Sequence, residues 1–197
     1  MENQNPYLTD PDVVLMLDFK AGNKNAFEQL MAKYYPRILN FIYRYINQSE
    51  SAEDLTQEVF IKVYRNASSY EPKSKFQTWI YTIAKNVSLN ELRKKPLARV
   101  SLDETLSSED SEFKVQVEDP QAKLPSEAMA KEELAQAVRA AIQSLPENQK
   151  LAVILRRYEN FSYEDIAQAL NLSVEAVKSL LSRAKENLRE KLAKLFD

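Results

Sequence analysis

The sequence of 197 residues contains no cysteine and no histidine, and it contains only one glycine. Without cysteine the chain forms no disulfide and offers no thiolate, and without histidine it lacks the commonest metal ligand and general base. With a single glycine it cannot build the glycine-rich loops that bind phosphate groups. These absences argue against an enzyme, and we expect neither a cofactor nor a bound metal.

Long apolar runs are also missing. No stretch approaches the roughly 20 apolar residues that span a bilayer, and the first residues have neither the basic region nor the apolar core of a signal peptide. We therefore expect a cytoplasmic protein with no direct membrane insertion. Because the net charge is −2, any binding of nucleic acid must depend on local clusters of positive charge.

Helical periodicity dominates both ends of the chain, and no alternating strand pattern with turn dipeptides occurs. Between Ser101 and Asp119, seven acidic residues accompany one lysine, a composition typical of an extended or disordered linker. The sequence therefore predicts an all-α fold with two small helical domains, at 1–95 and 126–197. A flexible acidic linker at 96–125 joins them.

Two short helical patterns near the C-terminus predict a helix-turn-helix. Ser162 and Asp165 have the spacing of a capping box, and we expect left-handed backbone at Asn160 and Asn171, since glycine is scarce. The second helix carries groups suited to base edges and phosphates on its outer face. They are Lys178, Ser179, Ser182 and Arg183. Periodicity alone favours a solvated amphipathic helix. The arrangement as a whole, in which a cap, a short helix, a three-residue corner and a longer helix follow one another, favours DNA binding.

A segment from Ser68 to Lys95 combines the only tryptophan with much local positive charge, and five basic residues accompany one glutamate between Lys85 and Arg99. Aromatic rings stack on unpaired bases, amides bind base edges, and lysine and arginine bind phosphates. Core packing is the alternative interpretation for Phe76 and Trp79. Tyr81 and Asn86 are harder to explain as packing residues, so the segment predicts a surface for single-stranded nucleic acid.

The helix predicted at about Ser51–Ala67 has an unusual outer face. An isoleucine lies there within the same arc as two acids and an amide. An apolar side chain inside a polar rim suits a protein interface. The alternative is a solvated acidic face with one stray apolar residue. The residues of this arc are Asp54, Gln57, Glu58 and Ile61.

Three segments together resemble the sigma-70 superfamily, and within it the small two-domain extracytoplasmic-function sigma factors. They are DLTQEVFIKVYR, FQTWIYTIAKN and LPENQKLAVILRRYENFSYEDIAQALNLSVEAVKSLLSRAKENL. The match covers nearly the whole chain outside the linker. The resemblance implies a promoter-recognition factor that binds bacterial core RNA polymerase, promoter DNA and an anti-sigma factor.

The resemblance also implies roles for individual residues. Binding to the polymerase falls on Asp54, Gln57, Glu58, Phe60 and Ile61. Contact with the opened −10 element falls on Ser74, Phe76, Trp79, Tyr81, Lys85, Asn86, Arg93 and Lys94. Contact with the −35 duplex falls on Lys178, Ser179, Ser182 and Arg183. The linker is expected to thread through the polymerase near the active centre and the RNA exit path.

Some positions depart from the family pattern. Glu71-Pro72-Lys73 stands where a glycine commonly precedes an acidic residue in the base-capture loop. Leu180 and Ser182 stand where relatives often carry arginine and a larger residue. Because of these departures, the resemblance does not specify which promoter sequence the chain prefers.

A second interpretation is a stand-alone helix-turn-helix regulator that binds an operator as a dimer. It explains residues 147–188. It gives no role to the surface at Trp79–Asn86 or to the helix face at Asp54–Ile61, so the sigma factor is the stronger hypothesis.

Overall fold

The computed structural model describes residues 5–99 and 125–193, with side chains described for 5–94 and 132–193. Within these ranges all regular structure is helical, which confirms the all-α prediction. Nearly all of the predicted linker, at 100–124, lies outside the described residues. The α-helices are α1 (Pro11–Lys20), α2 (Lys24–Ile46), α3 (Ser49–Arg65), α4 (Phe76–Arg99), α5 (Pro125–Gln143), α6 (Glu147–Arg157), α7 (Tyr163–Leu170) and α8 (Val174–Ala193). No helix in the described part of the chain is long and apolar enough to cross a membrane.

Asparagines supply backbone conformations that usually fall to glycine. Asn47, Asn160 and Asn171 each have a φ of 56°. Asn47 ends α2 and Asn171 ends α7. The short amide side chain tolerates the left-handed region better than most residues do. The prediction for Asn160 and Asn171 is confirmed, and Asn47 is a third such position.

Helices α1 to α4 pack around a core rich in aromatic rings. Tyr34 of α2 meets Phe76 of α4 edge to face, with ring centroids 5.2 Å apart. Phe41 meets Tyr81 in the same way at 5.1 Å. Such pairs add about 0.5–1.5 kcal/mol beyond the area they bury. The aromatic pairs thereby fix α4 against α2.

Helices α7 and α8 form the predicted helix-turn-helix, and α6 packs against both. Ser162 Oγ accepts the backbone N–H of Asp165 at 3.0 Å, and the capping box is complete. After the corner at 171–173, Ser173 Oγ accepts the N–H of Ala176 at 3.1 Å and so starts α8. These caps satisfy N–H groups that the first turn of a helix leaves unpaired.

The N-terminal and C-terminal helices also pack against each other. Helix α7 lies on α4, and α6 lies on α2. Buried side chains from both groups belong to one continuous hydrophobic cluster. This packing determines which predicted site residues reach solvent.

Candidate nucleic-acid and polymerase interfaces

Helix α8 presents its predicted outer face to solvent. On the opposite side Val177 and Ala184 are fully buried. Because the inner side is fixed against α6 and α7, the outer side is held as one rigid surface. The four residues proposed for the −35 element, Lys178, Ser179, Ser182 and Arg183, are all exposed on it.

Helix α3 carries the face predicted to bind a protein. Ile61 is 49% exposed, while Phe60 is only 5% exposed and stacks on Tyr35 with centroids 5.7 Å apart. Phe60 therefore supports this face from the core. The residues exposed on it are Asp54, Gln57, Glu58 and Ile61.

A groove of about 380 Å³ adjoins this face, between α2 and α3. Phe27 and Met31 line it from α2, and Ile61 and Tyr64 line it from α3. Tyr64 is 55% exposed. The sequence pattern of α3 alone does not predict this groove, although Tyr64 lies three residues after Ile61 and continues the same helical stripe. An exposed apolar groove of this kind suits a protein partner.

The residues proposed for the −10 element separate into core and surface positions. Phe76 is fully buried, so the packing alternative holds for it. Trp79 is half-buried and meets Tyr70 edge to face at 4.8 Å. Ser74 is partly exposed. Asn86 is exposed on the next turns of α4, together with Arg93 and Lys94.

The C-terminal helices cover two further residues of this set. Tyr81 is 1% exposed, and its hydroxyl donates a hydrogen bond to Glu159. Its ring meets Phe161 at 5.1 Å. Lys85 Nζ donates to the carbonyl oxygen of Ala169 at 2.9 Å, and burial lowers the pKa of this lysine. In this arrangement Tyr81 is inaccessible to DNA, and Lys85 is partly buried with its ammonium bound to Ala169.

The loop before α4 is also held by α7. Gln168 Nε2 donates to the carbonyl oxygen of Lys73 at 3.0 Å. Lys75 Nζ lies 2.9 Å from Asp165 Oδ2 in an ion pair. Burial opposes the charge of Asp165, but hydrogen bonds from Lys75 and Ser162 outweigh it and lower the pKa of this carboxyl. The loop proposed to capture a base is thus tied to the helix-turn-helix.

Comparison with known proteins covers both groups of helices. The sigma-70 region 2 model matches residues 30–96, and the sigma-70 region 4 model matches residues 135–188. The chain is 36% identical over 191 residues to the RNA polymerase sigma-H factor of Pseudomonas aeruginosa, with 95% of this chain and 96% of that protein covered. It is 34% identical over 189 residues to the ECF RNA polymerase sigma-E factor of Escherichia coli, covering 94% and 96%. The chain belongs to the extracytoplasmic-function sigma factors.

A solved relative has the same architecture. The sigma factor RpoE of Bartonella quintana, in complex with the anti-sigma factor NepR, superposes with a TM-score of 0.64 at 25% identity. The superposition covers 85% of this sigma factor and 96% of that chain. Sigma factors are transcription initiation factors and not enzymes. Membership of this family favours the sigma factor over the dimeric regulator.

Proposed function

We propose that this sigma factor directs bacterial core RNA polymerase to promoters by contacting two separate DNA elements. Helix α8 contacts the −35 element as duplex, and α4 with its preceding loop holds the opened −10 element. The observation that carries the proposal is the exposed face of α8, where Lys178 and Arg183 project from a helix whose other side is fully buried.

The outer face of α8 has the chemistry of a major-groove helix. A major groove about 12 Å wide admits one α-helix. Arg183 and Lys178 can donate to guanine edges or to phosphates, and the hydroxyls of Ser179 and Ser182 can bind base edges or backbone. The rigid inner packing keeps these groups in a fixed register.

The −10 surface combines a ring, an amide and cations. Trp79 is half-buried, so one part of its indole remains available for stacking on a base. Asn86 offers an amide for a base edge, and Arg93 and Lys94 offer charges for phosphates. Phe76 contacts Trp79 from the core, with centroids 5.7 Å apart, and so positions it.

The polymerase supplies most of the affinity. Extruding a base costs a few kcal/mol, and stacking that base contributes about 1–3 kcal/mol. The DNA contacts alone therefore give little net free energy of binding. The exposed face of α3 and the adjoining groove are the surface that we assign to the core enzyme. Once both groups of helices are bound to one polymerase, each DNA contact raises the effective concentration of the other. An anti-sigma factor is a further partner that would compete for these surfaces.

Footprinting of the complex with core polymerase tests the proposal. We expect the wild-type complex to protect an upstream duplex segment and to open a downstream one. The variant Lys178→Ala/Arg183→Ala should lose the upstream protection, with affinity reduced at least tenfold, since a good base contact contributes about 1–3 kcal/mol.

The matched control removes the same charge elsewhere. Arg157→Ala/Lys191→Ala also deletes two exposed cations from the C-terminal helices, but neither residue lies on the outer face of α8. The control should keep the upstream protection. Equal footprints for both double variants and wild type would refute the assignment of α8.

A further inference from the structure

The loop that leads into α4, at residues 70–75, contains a tight turn. The N–H of Lys73 donates to the carbonyl oxygen of Glu71 at 2.8 Å, which closes a three-residue turn around Pro72. Proline has no N–H to donate, and the loop contains no glycine. The groups that bind the other carbonyl oxygens of the loop therefore decide how firmly it is held.

Two side chains from the N-terminal segment bind carbonyl oxygens of this loop. Lys20 Nζ donates to the carbonyl oxygen of Tyr70 at 2.8 Å, and Asn5 Nδ2 donates to that of Pro72 at 2.8 Å. The paired residues are 50 and 67 positions apart in the chain. Both donors precede residue 30, where the match to the sigma-70 region 2 model begins. The matched region therefore contains the loop but not the two side chains that hold it.

The amide of Asn5 joins the loop to helix α1. Its Oδ1 accepts the N–H of Tyr7 at 3.0 Å and so caps a short 3₁₀ helix at Pro6–Thr9. That short helix packs on α1, and α1 contacts both α4 and the 3₁₀ turn at Ala67–Ser69. The loop at 70–75 lies between these last two elements in the chain. Helix α1 therefore supports the loop from both ends, and Asn5 adds a contact at its middle.

Lys20 holds the part of the loop that contacts Trp79. Tyr70 is 3% exposed, and its ring meets the Trp79 indole edge to face, with centroids 4.8 Å apart. Because the Tyr70 ring is enclosed in a close-packed core, its backbone cannot shift far without disturbing that ring pair. The Lys20 hydrogen bond thus acts, through one intervening residue, on the indole to which we assign stacking on a base.

We propose that Asn5 and Lys20 are positioning residues for the −10 element, because they hold the loop at 70–75 and the Trp79 indole in the arrangement that receives an unpaired base. This inference rests on the proposed function, since the loop needs positioning only if it binds DNA. Neither residue has to contact DNA in this role. A loop that is ordered before binding loses less conformational entropy when the base arrives.

Stopped-flow fluorescence measures the opening step in the complex of the full chain with core polymerase. The probe is a promoter fragment in which 2-aminopurine replaces one adenine of the downstream segment that the wild-type complex opens, and its fluorescence rises when the base unstacks. Lys20→Met keeps the aliphatic stem but removes the donor, and it should slow opening at least fivefold. Lys24→Met changes an exposed lysine at the start of α2 and should stay within twofold of wild type.

Conservative variants separate positioning from other roles. Asn5→Ser keeps an oxygen that can cap the 3₁₀ helix, but its side chain is too short to reach Pro72, so opening should again slow at least fivefold. If Asn5 served only as a cap, Asn5→Ser would open DNA at the wild-type rate. Lys20→Arg retains a cationic donor and should stay within twofold of wild type.

The effect should be confined to the loop. Lys20→Met and Asn5→Ser should keep the wild-type affinity for core polymerase and the upstream footprint. In the free chain, both variants should raise amide hydrogen exchange at 70–75 at least fivefold and leave exchange in α8 unchanged. A loss of core affinity as large as the loss of opening rate, or slower opening without faster exchange in the loop, would overturn the inference.

The same measurements distinguish this inference from the proposed function. If the variants raise exchange in the loop but wild type with core opens no promoter fragment, the proposed function fails and the two contacts only stabilise the loop. If wild type with core opens a promoter fragment and both variants open it at the wild-type rate, the proposed function stands and this inference fails.

Discussion

The hydroxyl of Tyr81 donates a hydrogen bond to the carboxylate of Glu159, a residue 78 positions later in the chain. Both side chains are almost completely buried. Burial, and next the charge of Glu159, raise the pKa of Tyr81 well above its ordinary value. The phenol therefore stays protonated and can remain the donor throughout the ordinary pH range. A residue that the sequence assigns to DNA is, in this conformation, bound to the helix-turn-helix.

Replacing Tyr81 by phenylalanine should weaken this closed packing. Tyr81→Phe keeps the ring between Phe41 and Phe161 but leaves the Glu159 carboxylate with one partner fewer, at a cost of about 1–3 kcal/mol. Urea unfolding measures the loss. Tyr43→Phe, a half-buried tyrosine on α2, is the control and should change stability by less than about 0.5 kcal/mol. Equal midpoints for the two variants would contradict the role of the hydroxyl.

Two other buried tyrosines should respond in opposite ways to the same substitution. Tyr34 donates to Asp12 Oδ2 at 2.6 Å, whereas the buried hydroxyl of Tyr45 has no hydrogen-bond partner among the described residues. Tyr34→Phe should cost about 1–2 kcal/mol because it removes a charge-assisted hydrogen bond. Tyr45→Phe should be neutral or slightly stabilising, since it removes an unsatisfied polar group. Thermal unfolding of both variants makes the comparison, and a larger loss for Tyr45→Phe would contradict it.

Asp165 should contribute to stability in a pH-dependent way. Its pKa is lower in the folded chain than in the unfolded chain, where it is about 3.9. The stabilisation is therefore complete above the unfolded pKa and is lost as the pH falls through the lower folded pKa. Asp165→Asn should cost about 1 kcal/mol near pH 7, as loss of a capping interaction does.

The difference between wild type and Asp165→Asn should shrink on acidification below about pH 4. Unfolding by urea at several pH values measures it. Glu164→Gln, at an exposed neighbouring position, should follow the wild-type pH dependence. A difference for Asp165→Asn that stays constant or grows on acidification would contradict the ion pair with Lys75.

Ile61 tests the surface assigned to the polymerase. Ile61→Asp should weaken binding to core polymerase at least tenfold, about 1.4 kcal/mol, because it places a charge where an apolar anchor lies. Val14→Asp changes an equally exposed apolar residue on α1 and should retain binding. Anisotropy of a labelled chain titrated with core measures both affinities. Similar losses for the two variants would assign the effect to general destabilisation.

Local rules predicted the parts of the fold that depend on neighbouring residues. The capping box of α7 and the left-handed asparagines follow from residue types within a few positions. The exposed face of α8 follows from helical spacing, because Val177 and Ala184 define its buried side. For these features sequence and structure agree.

Contacts between distant segments could not be predicted in this way. Periodicity along α4 contains no information about Glu159 or Ala169, whose positions decide that Tyr81 is covered and that the Lys85 ammonium is hydrogen-bonded. The groove beside Ile61 likewise needs α2 and α3 together, since each helix supplies only one wall. For the same reason the sequence alone does not decide between core packing and DNA contact for Phe76, because its burial depends on Tyr34 in another helix.

Run-off transcription with purified bacterial core polymerase on a library of promoter fragments tests the proposed function most directly. We expect transcripts with defined start sites only when the chain and core are both present, and their loss with Lys178→Ala/Arg183→Ala. The selected fragments would also supply the −35 and −10 sequences. If the chain neither bound core polymerase nor changed its choice of start sites, the proposed promoter recognition would be contradicted.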